Sequence, residues 1–66
     1  MGFKIKEHRQ KIGMSQEELA EKSGVSRAII SGLESGRVTV TSTKTIEKIA
    51  KALDKEVSDI FYSASA

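Results

Sequence analysis

The stretch "MSQEELAEKSGVSRAIISGLESGR", residues 14–37, decides the fold. Ser15-x-x-Glu18 is a capping box. The Ser15 hydroxyl accepts from the amide of residue 18, and Glu18 reaches back to the amide of Ser15. A helix over 16–23 follows, and Gly24, which takes positive φ cheaply, stops it. Ser26 is the next N-cap and Gly36 the next stop, so a second helix covers 27–35. A tight turn at Ser23-Gly24-Val25, with Val25 locking the two helices together, is a helix-turn-helix signature.

Helical projection separates two faces of the segment 27–35. With Leu33 at zero and about 100° per residue, Ile29 lies at roughly −40° and Ile30 at roughly +60°. These three residues define the expected buried side. Arg27, Ala28, Ser31 and Ser35 turn away from it, with Gly32 and Glu34 on the flanks. The outward face is small, polar and singly basic. Such a face can approach a DNA major groove closely, and Arg27 is long enough to reach guanine O6 and N7 together.

Further helices are expected on both sides. Ile5 and Ile12, seven apart, mark one face of a helix over 3–12 that ends before Gly13. Ser42 caps a helix over 43–53, in which Ile46, Ile49, Ala50 and Leu53 recur at helical spacing. Asp54 suits its terminus because Asp tolerates left-handed backbone. A short helix over 57–62 offers Val57, Ile60 and Phe61, and 63–66 is a frayed tail. The expected fold is all-α: five short helices around one core, in a single domain over 1–66.

Composition narrows the function classes. The 66 residues include no Cys, which excludes disulfides and Cys-based zinc sites and fits a cytoplasmic protein. No membrane span or signal peptide is evident. The formal net charge is only +2, with the basic excess in the first half. That permits nucleic-acid contact without demanding it. His8 is the sole histidine, with no nucleophile or second ligand suggested near it. No catalytic residue, metal, cofactor or small-molecule site is expected.

The combination of Ser-Gln-Glu-Glu-Leu-Ala, Gly-Val-Ser, Ile-x-x-Leu-Glu-x-Gly and Lys-Ile-Ala-Lys-Ala-Leu resembles the Cro/repressor helix-turn-helix family, also called the XRE family. The likeness spans about residues 3–61. It implies a compact lambda-repressor-like DNA-binding domain. By position, it assigns base contacts to Arg27, Ala28, Ser31 and Gly32, and phosphate contacts to Gln16, Ser26, Ser35 and Arg37. It matches Arg9 and Glu34 to an ion pair that ties the first helix to the recognition helix. Three departures stand out. Gly32 occupies a position where a long polar side chain is usual. Val38, Thr39, Val40 and Thr41 replace a loop that is often basic, and His8 stands where Leu is common.

A single recognition helix reads only a few base pairs, so a homodimer on two half-sites is expected, with Val57, Ile60, Phe61 and Tyr62 as its interface. The expected function is a sequence-specific, double-stranded DNA-binding transcriptional regulator, a Cro-like repressor of a palindromic operator. The alternative is a protein-interaction module of the same fold, antitoxin-like or a co-regulator, with weak DNA binding. Weak basicity and the Gly32 gap favour that alternative, and a salt-dependent shift of random DNA separates the two.

Overall fold

Local signals set the ends of most helices in the computed structural model, which describes residues 2–38 and 41–62, with Phe61 and Tyr62 by backbone alone. The chain order is β1 (Gly2–Phe3), α1 (Ile5–Lys11), α2 (Gln16–Ser23), α3 (Arg27–Ser35), α4 (Thr43–Ala52), α5 (Val57–Ile60) and β2 (Phe61–Tyr62). The capping box is formed: Glu18 N–H donates to Ser15 Oγ at 3.1 Å and Ser15 N–H to Glu18 Oε1 at 3.0 Å. Ser26 Oγ accepts from Ile29 N–H at 3.3 Å, and Ser42 Oγ from Thr45 N–H at 3.2 Å. Each cap satisfies an amide that the first helical turn would otherwise leave without a partner.

Asp54 ends α4 in the left-handed region, at φ 58°. Asp54 N–H then donates to Lys51 O at 3.1 Å, and Lys55 N–H to Ala50 O at 2.9 Å. This pair of bonds is a Schellman motif, here built on Asp rather than Gly.

The core takes one or more residues from every helix. Ile5, Leu19, Ile30, Ile49 and Ile60 are fully buried, with Val25, Leu33, Ala50 and Leu53 beside them. Phe3, Met14, Val38 and Val57 pack against this cluster. Burial of apolar side chains near 25 cal/mol per Å² is what drives so small a chain to fold.

The two ends of the chain depart from the expected helices. The first helix begins at Ile5 rather than residue 3, and the last stops at Ile60 rather than residue 62. Gly2 instead pairs antiparallel with Tyr62, and Phe3 with Phe61. Lys4 N–H adds a bond to Ile60 O at 2.6 Å. A one-turn helix cannot satisfy many of its own backbone groups, and the opposite end of the chain supplies partners. Ile12 is a second correction. It lies beyond the end of α1, beside the positive-φ Gly13, and is 56% exposed rather than on the buried face. The tail expected over 63–66 lies outside the described residues. Among the described residues, no helix is long and apolar enough to cross a membrane.

Candidate nucleic-acid interface

The α2–α3 pair is joined as its sequence demands. Gly24 takes φ 73°, and its N–H donates to Ala20 O at 2.9 Å. Val25 then turns into the core, 7% exposed, while its N–H donates to Ser23 Oγ at 3.1 Å. The turn is thus held from both sides, by an apolar anchor and by a side-chain bond.

A buried polar hub fixes α3 against the rest of the molecule. Arg9 Nε donates to Glu34 Oε2 at 2.8 Å and Arg9 Nη2 to Glu34 Oε1 at 2.9 Å. Arg9 Nη1 donates to Met14 O at 2.8 Å, and Gln16 Nε2 to Glu34 Oε1 at 3.1 Å. One guanidinium therefore grips α3 and the segment leading into α2, while Gln16 joins α2 to the same carboxylate. The Arg9 and Glu34 side chains are only 11% and 4% exposed. Burial alone pushes the Glu34 carboxyl up. The bonds from Arg9 and Gln16, with the attraction of Arg9 and Lys6, outweigh it and hold Glu34 below its ordinary value. The bond to Glu34 likewise raises Arg9 against its own burial. Glu34 lies near the C-terminus of α3, where a negative charge opposes the helix dipole, so its cationic partner is a requirement.

The opposite face of α3 is open. Arg27, in the first turn, is exposed and makes one bond, Nη1 to Glu17 Oε1 at 3.2 Å, between side chains 61% and 74% exposed. Ala28 is exposed and Ser31 half-buried. Ser26 is exposed, its hydroxyl engaged in the cap. Ser35 Oγ donates to Gly32 O at 3.2 Å and accepts from Arg37 Nε at 3.2 Å, which positions the Arg37 guanidinium at the end of the helix. Of the residues that the resemblance assigns to phosphate, Gln16 is half-buried on the hub, and Ser26, Ser35 and Arg37 are exposed.

Two assignments on α3 are corrected. Gly32 is buried rather than presented outward. A Cβ there would stand 2.6 Å from Val38 Cγ2, and Val38 N–H donates back to Gly32 O at 3.0 Å. Val38 occupies the space a side chain would fill, so any larger residue must displace its methyl. Ile29, expected in the core, is 41% exposed. The buried side is centred between Leu33 and Ile30, at positive angles, so Ile29 falls off its edge. Thr39 and Val40 of the following loop lie outside the described residues.

The expected dimer interface is also changed. Ile60 is fully buried within the chain's own core and presents nothing to a partner. Val57 is half-buried against that core. The side chains of Phe61 and Tyr62 lie outside the described residues.

Sequence reasoning missed several contacts. Glu17 as the partner of Arg27 carried no signal beyond its charge. Gln16 as a ligand of Glu34 depends on how the helices meet in space. His8, expected only as a departure, has Nε2 3.1 Å from the backbone oxygen of Asp59; since a carbonyl accepts, the ring donates and links α1 to α5.

A turn-linked helix pair, keyed to a preceding helix through Arg9 and showing the outer face of its second member to solvent, defines a helix-turn-helix domain. The helix-turn-helix family matches residues 5–60. An uncharacterized HTH-type transcriptional regulator of Methanothermobacter thermautotrophicus is 48% identical over 58 residues, which are 86% of this chain and 83% of that one. The regulator SinR of Bacillus subtilis is 39% identical over 57 residues, 86% of this chain and 51% of SinR. The solved N-terminal DNA-binding domain of SinR aligns with a TM-score of 0.85 at 33% identity, covering 96% of this chain and 91% of the domain. The chain belongs to the XRE family of helix-turn-helix transcriptional regulators.

Proposed function

We propose that this protein is a Cro-like repressor that binds a palindromic operator in double-stranded DNA as a homodimer. The observation that carries the reading is the two-sided construction of α3. One side is locked by Ile30, Leu33 and Glu34, and the other leaves the Arg27 guanidinium and the Ala28 methyl in solvent.

In this reading α3 lies in the major groove with its first turn foremost. Arg27 leaves Glu17, a single exposed contact worth little in water, and donates bidentately to guanine O6 and N7. Arg37, steadied by Ser35, meets a phosphate beyond the far end of the helix. Ser26 and Gln16 stand at the N-termini of α3 and α2, where amides and the helix dipole favour an anion. Repression follows from occupancy of a promoter site. Dimerisation sets two such helices about 34 Å apart, one turn of the duplex. Of the residues expected at that contact, Ile60 serves the monomer core, so the dimer contact is assigned to Val57 and the residues that follow Ile60.

Selection from a random duplex library, followed by footprinting and a salt titration, tests this. The expected result is a symmetric site with half-sites one turn apart and an affinity that falls steeply with salt. Absence of retardation at low salt overturns the reading and favours the protein-interaction alternative. A single unrepeated half-site overturns the dimer alone.

A further inference from the structure

The exposed surface of α3 divides into two sectors of different chemistry. On the helical projection Arg27, Ser31 and Ser35 form a polar sector. Ala28 and Ile29 lie on an adjoining sector, at roughly −140° and −40° from Leu33, with buried Gly32 between them beneath Val38. That sector is apolar. Ala28 is exposed, and Ile29 is 41% exposed in the same turn. The space a side chain at position 32 would fill holds a methyl group of Val38, itself only half-buried.

Base edges in the major groove carry the same two chemistries. Guanine presents acceptors and thymine presents a 5-methyl group. A β-branched residue in a helix is held in essentially one rotamer, so Ile29 is a fixed apolar knob rather than a flexible one. At 41% exposed, part of Ile29 stands outside the core that Ile30 and Leu33 complete. We propose that Ile29 is a specificity-determining residue that reads the 5-methyl group of a thymine in the half-site, on the opposite flank of α3 from Arg27. The assignment rests on the DNA-binding reading above. The Val38 methyl packed over Gly32 keeps the flank beside Ile29 apolar.

The test uses the intact protein and duplexes carrying its selected site, with each thymine replaced singly by deoxyuridine, which lacks only the methyl group. Wild-type protein is expected to lose about threefold to fivefold in affinity at one thymine per half-site, the worth of one buried methyl. Ile29→Ala is expected to bind thymine and uracil duplexes equally, and Ile29→Val to keep part of the discrimination. Circular dichroism melting of each variant confirms the fold, and the wild-type uracil series needs no variant at all. A selected site whose uracil duplexes all bind as well as thymine overturns the assignment while leaving DNA binding intact. So does Ile29→Ala retaining the full uracil penalty. A library that yields no enriched sequence overturns both readings together.

Discussion

Arg9–Glu34 and Arg27–Glu17 are chemically the same pair placed in opposite surroundings. The first is bidentate at 2.8 and 2.9 Å, nearly out of water, and tied further to Met14 O and Gln16. The second is a single contact at 3.2 Å between two mostly exposed side chains. The first cannot open without leaving a buried charge, which costs several kcal/mol. The second opens at almost no cost, because water solvates both partners. Position alone therefore makes one arginine a fastener of the fold and leaves the other free to find a new acceptor. Both act on α3, one from behind and one from the front.

The largest expected effect comes from breaking the buried pair. Glu34→Ala should lower stability in urea unfolding by about 3–5 kcal/mol, since Arg9 is left charged and without its main acceptor. For a domain this small that is most of the total. The double variant Arg9→Met with Glu34→Leu should recover much of the loss, as apolar replacement of a buried pair often does.

Acid acts on the same pair. The Glu34 carboxyl is held below its ordinary value in the folded protein, and exposed Glu18 is lowered as well, chiefly by the Ser15 amide. A depressed carboxyl contributes stability that is fully present above its unfolded pKa and is lost as pH falls through the folded one. Thermal melting should be flat from neutral pH to about the ordinary carboxylate range near 4.3, then decline below it. Glu34→Gln should start lower and decline less.

Breaking the exposed arginine should leave the fold alone. Arg27→Ala is expected to cost about 1–3 kcal/mol on the selected DNA site and to relax preference at one base pair, with melting unchanged. An equal loss on random DNA would show a phosphate contact instead.

A smaller effect tests the contact that Val38 makes over one flank of α3. Gly32→Ala gains up to about 1 kcal/mol of helix propensity but drives a methyl into Val38. It should destabilise by about 1 kcal/mol in the wild-type background and stabilise when Val38→Ala removes the obstruction. The smallest change is Glu17→Ala. Stability should move by less than about 0.5 kcal/mol, and affinity for all DNA should rise slightly as a negative charge leaves the face.

What was legible in the sequence follows from the range of the forces involved. Ser15, Ser26, Ser42, Gly24 and Asp54 announce helix ends because a cap is settled within a few residues. The helix-turn-helix follows from those caps and Val25. The Arg9–Glu34 pair was reached through resemblance, and the geometry supplies its physical basis in mutual burial. Gly32 and Ile29 were misplaced for one reason. A projection treats a helix as isolated, whereas Val38 returns over one flank and the core sits nearer the other. The pairing of Gly2–Phe3 with Phe61–Tyr62 was invisible because no local pattern encodes a partner at the far end of the chain.

That terminal ladder bears on how the molecule assembles in time. Its contacts join residues 2–3 to residues 61–62, the longest closure in the described fold, whereas the capped helices and the turn at Gly24 form from neighbours. Loop closure therefore predicts that the ladder joins after the helix-turn-helix, with the rate-limiting nucleus in the helices. Weakening the ladder is then expected to speed unfolding and to leave the rate of folding almost untouched, which stopped-flow kinetics would show. On that order the pairing of 2–3 with 61–62 sets how long each folded molecule lasts, and the helices set how quickly it forms.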